Sequence, residues 1–336
     1  MKISSKRVKS ETDVSTLPSM RNLRGAKRKS NFLVMLGALV CAALVSSCST
    51  NDDIEGNNDN GAVRFTAGIA EVATPAGSPV TKAAGTSWGS GDAIGVFMVG
   101  HGGTTQVIEA NRQFTTTGNG TFTAAAGHEI FFPQTGKVDF IAYYPWKTGY
   151  PLGTPIDVEI ATAQTAINQP TFDLLWTKAD NSGSGYDKVT NASDNVALVF
   201  DHKLAKIVMN CTADGSIGSP LTGMTVTIRG MNTQNTFDIS TGMLGAILGT
   251  AANITPRTIT DGSAYDAIIM PGTYLVDVVT VDFTVNGETF PWEVPATTFA
   301  SGNEYTYAIT VTRTGVKFTG TINPWAPVTG DPGTAE

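Results

Sequence analysis

The strongest constraint on this chain is a periodicity that it lacks. After residue 48 no stretch sustains the 3.6-residue recurrence of apolar side chains that a packed helix needs. Short runs rich in Val, Ile, Phe, Tyr and Thr appear instead, broken by Gly, Asn, Asp and Pro, and these are strand and turn signals. Candidate strands are 63–69, 93–99, 112–116, 129–132 and 138–144, then 196–200, 204–210, 224–229, 265–270, 274–285 and 304–312. Val281, Phe283 and Val285 alternate with Asp282 and Thr284 and run into Asn286-Gly287. That pair suits a type I′ turn, whose two central residues need positive φ, so 288–294 is the returning strand. Many short strands at this spacing predict an all-β chain built as tandem sandwiches, with little helix. The polar stretch 178–195 reads as a loop at or near a domain boundary, and no internal repeat stands out between the halves.

The first 48 residues obey different rules. Basic residues Arg24, Lys27, Arg28 and Lys29 precede the apolar run 32–45, after which come Ser46, Ser47 and Cys48. A basic region, an apolar region and small residues before a cut are the parts of a secretory signal. The run holds 14 residues, short of the roughly 20 that a membrane-spanning helix needs. Val45-Ser46-Ser47-Cys48 resembles a bacterial lipobox, in which the cysteine is acylated and begins the mature chain. An ordinary cleaved signal that happens to contain Cys48 is the alternative, and Met20 is a second candidate start. Residues 49–61 are acidic and rich in Gly and Asn, the composition of a flexible tether.

Charge excludes several partners. Residues 1–30 hold nine of the 22 Lys and Arg but two of the 29 Asp and Glu. With none in 31–48, the remainder carries 13 basic and 27 acidic residues. Such a surface suits neither nucleic acid nor a polybasic membrane contact. Once Cys41 leaves with the signal and Cys48 is acylated, Cys211 has no partner for a disulfide. His101, His128 and His202 show no metal-ligand spacing, so neither metal nor cofactor is expected.

Chemistry-like features read as structure. Asp92 in Trp88-Gly-Ser-Gly-Asp92 closes a turn, and the alternating segment 140–144 reads as a core strand, with exposed tyrosines that bind sugar or protein as the alternative. Asp201-His202-Lys203 has no located nucleophile, and Gly183-Ser-Gly185 lacks both the GK[ST] ending and the following helix of a phosphate loop. Trp146, Trp176, Trp292 and Trp325 read as core rings, with a carbohydrate platform as the alternative. No enzyme is expected.

Several pieces in order resemble the fimbrillins of Bacteroidota, the lipoprotein precursors of type V pili. They are Val63-Arg64-Phe65-Thr66-Ala67, Thr81-Lys82-Ala83 and Trp88 through Met98. Phe131-Phe132-Pro133, Phe140 through Pro145 and Phe200 through Ile207 follow, then Tyr305 through Val311 and Ile322 through Trp325. The resemblance implies two tandem transthyretin-like Greek-key β-sandwich domains, 62–195 and 196–336, after a signal peptide (1–47) and a tether (48–61). It implies a lipid anchor in the outer membrane through Cys48 and a trypsin-like protease that cuts at Lys82–Ala83. The cut would remove a first strand within 62–82, and Arg64, inside that strand, is the less accessible competitor. The groove would then take a strand near 315–323 from another fimbrillin subunit, in a homo- or hetero-polymer. Val316, Phe318 and Ile322 fall on one face of that donor at period two.

Residues 326–336 are rich in Pro and Gly and make a poor strand, so the donor lies before Trp325 or the subunit is a tip that receives only. The competing function is a monomeric surface lipoprotein that binds a host glycan or protein.

Overall fold

The computed structural model describes residues 61–70, 87–189, 194–217, 220–325 and 334–335. Cys48, Lys82 and Ala83 lie outside the described residues. No α-helix occurs among the described residues; Gln169–Thr171 forms a single 3-10 turn.

Eight strands make up the first half: β1 (Arg64–Ile69), β2 (Ala93–Gly100), β3 (Val107–Thr116), β4 (Thr121–Ala124), β5 (Val138–Tyr144), β6 (Ile156–Glu159), β7 (Leu175–Ala179) and β8 (Asn195–His202). Seven of them close a ring in the order β1-β4-β3-β2-β5-β7-β8. β1 closes it, running antiparallel to β4 and parallel to β8.

The second half holds β9 (Ala205–Ala213), β10 (Thr225–Met231), β11 (Gln234–Asp238), β12 (Met243–Leu248), β13 (Ala252–Ile254), β14 (Arg257–Thr260) and β15 (Ala264–Ile269). Then come β16 (Gly272–Tyr274), β17 (Thr280–Val285), β18 (Glu288–Glu293), β19 (Thr297–Phe299), β20 (Asn303–Thr312), β21 (Gly315–Pro324) and β22 (Thr334–Ala335). One sheet runs β14-β15-β9-β20-β21-β22 and another β13-β10-β17-β18, with smaller sheets β12-β11-β6 and β16-β19.

Two apolar cores result. The first gathers Phe65, Val96, Phe114, Phe122, Phe140, Leu198 and Phe200 inside the ring. The second gathers Ile207, Met209, Ile228, Phe283, Trp292, Tyr305 and Ile309. β2 and β5 are buried on both faces, so Val96, Met98, Phe140 and Ala142 face the first core while Phe97, Val99, Ile141 and Tyr143 face the second. Double burial explains why these strands read as almost unbroken apolar runs.

The expected hairpin forms: Asn286 and Gly287 have φ of 51° and 84°, and β17 pairs with β18 in register. Two expected strands differ. Residues 129–132 make only an isolated bridge, Phe131 to Ala62, because Pro133 follows and has no N–H to extend a ladder. The run 274–285 breaks at 275–279, where Asp277 takes φ of 64° and Val278 N–H turns back to the Leu275 carbonyl.

Candidate functional site

The site is the position that β1 occupies. Its sequence alternates so that Val63, Phe65, Ala67 and Ile69 point into the first core while Arg64, Thr66 and Gly68 point out. Phe65 is 0% exposed and meets Phe114 and Phe140 edge-on, at ring separations of 4.8 Å and 5.2 Å. Edge-on packing of this kind adds about 0.5–1.5 kcal/mol per pair to the burial itself.

Backbone pairing on the two sides is unequal. Along β8, six residues of β1 stay in parallel register, from Arg64 beside Asn195 to Ile69 beside Phe200. Along β4 only Phe65 and Thr66 are in register, opposite Phe122 and Thr121. Four further bonds extend the hold: Val63 N–H to the Ile130 carbonyl (2.8 Å), Arg64 N–H to Asp194 (2.7 Å), Ala67 N–H to Gly120 (2.7 Å) and Ala70 N–H to Phe200 (3.0 Å).

Trp88 closes the slot from the side. Its indole N–H donates to the Ala67 carbonyl at 2.7 Å, and its ring sits edge-on to Phe122, Tyr144 and Phe200. Asp92 holds the turn beneath it, accepting from the Gly89 N–H at 2.6 Å and from the Tyr144 hydroxyl at 3.1 Å. This is the turn role expected of Asp92. Burial first, and then the Asp92 charge, push the Tyr144 hydroxyl well above the ordinary tyrosine range, so it stays a donor.

The tail residues Val316, Phe318 and Ile322 lie in β21, which pairs with β20 along its whole length. All three are half-buried on the face that packs against the second core. The Phe318 ring lies 4.9 Å from Trp292 and 6.5 Å from Tyr307. On its other edge β21 meets β22 over two residues, Gly320 and Thr321. Beyond β21, Trp325 turns inward, its N–H donating to the Gly302 carbonyl at 2.6 Å.

His202 belongs to this packing. Its partner is Asp173 at 3.0 Å, not the adjacent Asp201, and both side chains are 0% exposed. The imidazole stacks on Trp325 at 3.9 Å with 8° between planes. His202 Nε2 and Asp173 Oδ2 have no hydrogen-bond partner among the described residues. A sealed pair stacked under an indole leaves no room for a substrate, so the arrangement serves packing. No sequence spacing signals the pairing of residues 173 and 202.

Of the four tryptophans expected in the core, Trp292 and Trp325 are buried while Trp146 and Trp176 are half-buried. Lys203 Nζ stands 4.8 Å above the Trp176 ring. Cys211 is 4% exposed, and burial pushes its thiol up to about 12. No cluster of His, Cys, Asp and Glu suited to a metal occurs among the described residues.

Comparison with known proteins places this geometry. Residues 81–325 match the family profile described as fimbrillin-like. A Bacteroides uniformis protein provisionally named fimbrium subunit Fim1C is 30% identical over 313 residues, spanning 88% of this chain and 96% of that one. A crystal structure from Bacteroides uniformis, provisionally described as a cell adhesion protein, superposes with a TM-score of 0.64 at 29% identity. It covers 80% of this chain and all of the other. A second, from Bacteroides ovatus and similarly described, shares the fold with a TM-score of 0.59 at 22% identity, covering 80% and 99%.

Proposed function

Because the chain belongs to the fimbrillin-like family, we propose that it is a subunit of a surface fimbrium assembled by exchanging the strand in the β1 slot. The observation that carries this reading is β1 itself. A six-residue strand near the start of the described chain closes the ring and fills its core with Phe65, Ala67 and Ile69. Withdrawing it would leave the facing edges of β4 and β8 unpaired and an apolar trough open between them. An incoming strand with apolar residues at every second position satisfies both needs.

The rest of the pathway is what the likeness to fimbrillins implies. Export as a lipoprotein acylated at Cys48 would hold the precursor on the outer membrane and at the cell surface. A trypsin-like protease would cut at Lys82–Ala83, within an Ala-, Gly-, Ser- and Pro-rich stretch, and free β1 together with its lipid. The proposal of two domains rests on the two cores, which meet at β2 and β5; Val196, Leu198 and Phe200 of β8 pack in the first core, so the boundary falls after β8 rather than between 195 and 196. Val316, Phe318 and Ile322 would serve as the donor face for another subunit, after processing moves the protein from membrane to fimbrium.

The test is N-terminal sequencing and gel mobility of the surface protein before and after mild trypsin. A new N-terminus at Ala83, with a ladder of polymers that resists mild detergent, is the expected result. An acylated Cys48 that survives protease, with no ladder, overturns strand exchange and favours a monomeric lipoprotein that binds a host glycan or protein.

A further inference from the structure

Strand β12 ends its sheet. It pairs with β11 on one side and, among the described residues, with no strand on the other. Edge strands are commonly guarded by charge or by proline. β6, at the far edge of the same sheet, carries Asp157 and Glu159, and β18, at the edge of its own, carries Glu288, Pro291 and Glu293. β12 has neither guard. It reads Met-Leu-Gly-Ala-Ile-Leu, and no charged residue occurs from 239 to 256. Met243 is 66% exposed and Ile247 54%.

An open hollow of about 500 Å³ lies beside the strand, lined by Met243, Leu244 and Ile247 together with Pro271 and Gly272. Lys203 is the charged residue of that lining, and it is engaged at home. Its Nζ stands 4.8 Å above the Trp176 ring and 3.9 Å from Asp201. The patch thus offers a knob and a hole together: two protruding apolar side chains and the space next to them.

We infer that this patch is a side-to-side contact between two copies of this chain, with Met243 and Ile247 of each entering the hollow of the other about a two-fold axis. Two arguments select a second copy. A two-fold contact joins the same patch on both subunits, so that patch must be complementary to itself, and a knob beside a hole has this shape. The other argument is charge. Beyond residue 48 the chain carries 13 basic and 27 acidic residues, so most pairings of two copies bring like charges together, whereas 239–256 brings none. Side chains make the contact, not a continued ladder. The β11–β12 register slips between Asn235 and Phe237, opposite Gly245 and Ala246, and a bulged edge resists extension of the sheet.

A few side chains from each copy fall well short of the roughly 800 Å² per partner of a standard stable interface, so free subunits pair weakly. Along a fibre the same contact recurs on every subunit, and two fibres lying side by side gain from the sum. The contact uses neither β1 nor β21, so its failure and the failure of strand exchange are separate results.

Disulfide trapping captures a weak contact of this kind. The full chain is studied in mild detergent with Cys41→Ser and Cys48→Ser, which leaves the buried Cys211 as the native thiol. Met243→Cys is oxidised at several protein concentrations beside Val199→Cys, a control position on β8 that is 60% exposed. Met243→Cys is expected to give covalent dimer at least fivefold faster than Val199→Cys, and adding Ile247→Lys should bring its rate down to that of the control. Both patch positions are exposed, so these substitutions leave the cores untouched. Equal rates for Met243→Cys and Val199→Cys, or a Met243→Cys rate indifferent to Ile247→Lys, overturn the inference. Alkylation of dilute Met243→Cys identifies any other occupant. A thiol at 243 that reacts as slowly as Cys211 overturns the second copy in favour of cover by another segment of the same chain. One that reacts fast and forms no dimer overturns it in favour of a different partner.

Discussion

Replacing Phe65 by alanine in the full chain tests whether β1 is a seated core strand. The ring is fully enclosed and makes two edge-on contacts, with Phe114 and Phe140. Phe→Ala in a closed core costs about 3–5 kcal/mol, because the lost transfer energy adds to that of an unfilled cavity. Phe318→Ala is the matched control. That ring is half-buried in β21, so less transfer energy is lost and water can fill the gap. Halving the transfer term and dropping most of the cavity term leaves about 1.5–2.5 kcal/mol. The difference between the variants, taken at matched ends of the two ranges, is then about 1.5–2.5 kcal/mol, or roughly 3 °C or more in the melting of a domain this size. Urea unfolding of unprocessed protein, followed by tryptophan fluorescence, measures both. Trp88 lies beside the slot, while Trp292 lies beside Phe318. Phe65→Ala costing no more than Phe318→Ala would refute the reasoning, since a strand that gives up its largest ring cheaply does not close a core.

Three further outcomes follow. Trp88→Phe removes the hydrogen bond to the Ala67 carbonyl, so it should cost about 1–2 kcal/mol and raise hydrogen exchange along β1; unchanged exchange would show that Trp88 does not hold the strand. Tyr307 is pushed up to about 12, by burial first and then by Tyr305, from an ordinary value of 10. A folded-state value raised in this way gives stability that is complete below pH 10 and is lost as pH rises toward 12. Tyr307→Phe should remove about 2–3 kcal/mol of that alkaline loss in a pH series of urea melts. Trp325→Ala uncovers the His202–Asp173 pair and unties the end of β21, so protease should release the tail several-fold faster than in the parent; equal rates would show that the stack does not hold the tail.

What could be read in the sequence depended on the range of the interaction. The Asn286-Gly287 hairpin needs only local backbone geometry, and β5 needs only a run of apolar residues, so both were legible. Residues 129–132 carried the same apolar signal as a strand, yet only a single bridge to Ala62 forms. Which buried carboxylate meets His202 depends on how β8 packs against the turn after Gln169, and sequence order does not reveal it. The slot residues Phe65 and Ile69 were visible as an alternating run, but Trp88 read only as part of a turn.

The parallel pairing of β1 with β8 bears on how the slot behaves under tension. Pulling a strand along its own axis while it lies in register beside a neighbour loads six residue pairs in shear together, instead of peeling them one by one. The force does not end at β8. Only Lys203 and Leu204 separate β8 from β9, and β9 lies directly beside β20, the strand that carries the tail. A subunit gripped at its slot and drawn by its tail is therefore stressed along a short covalent and hydrogen-bonded line, so a fibre of such subunits would yield by breaking many bonds at once.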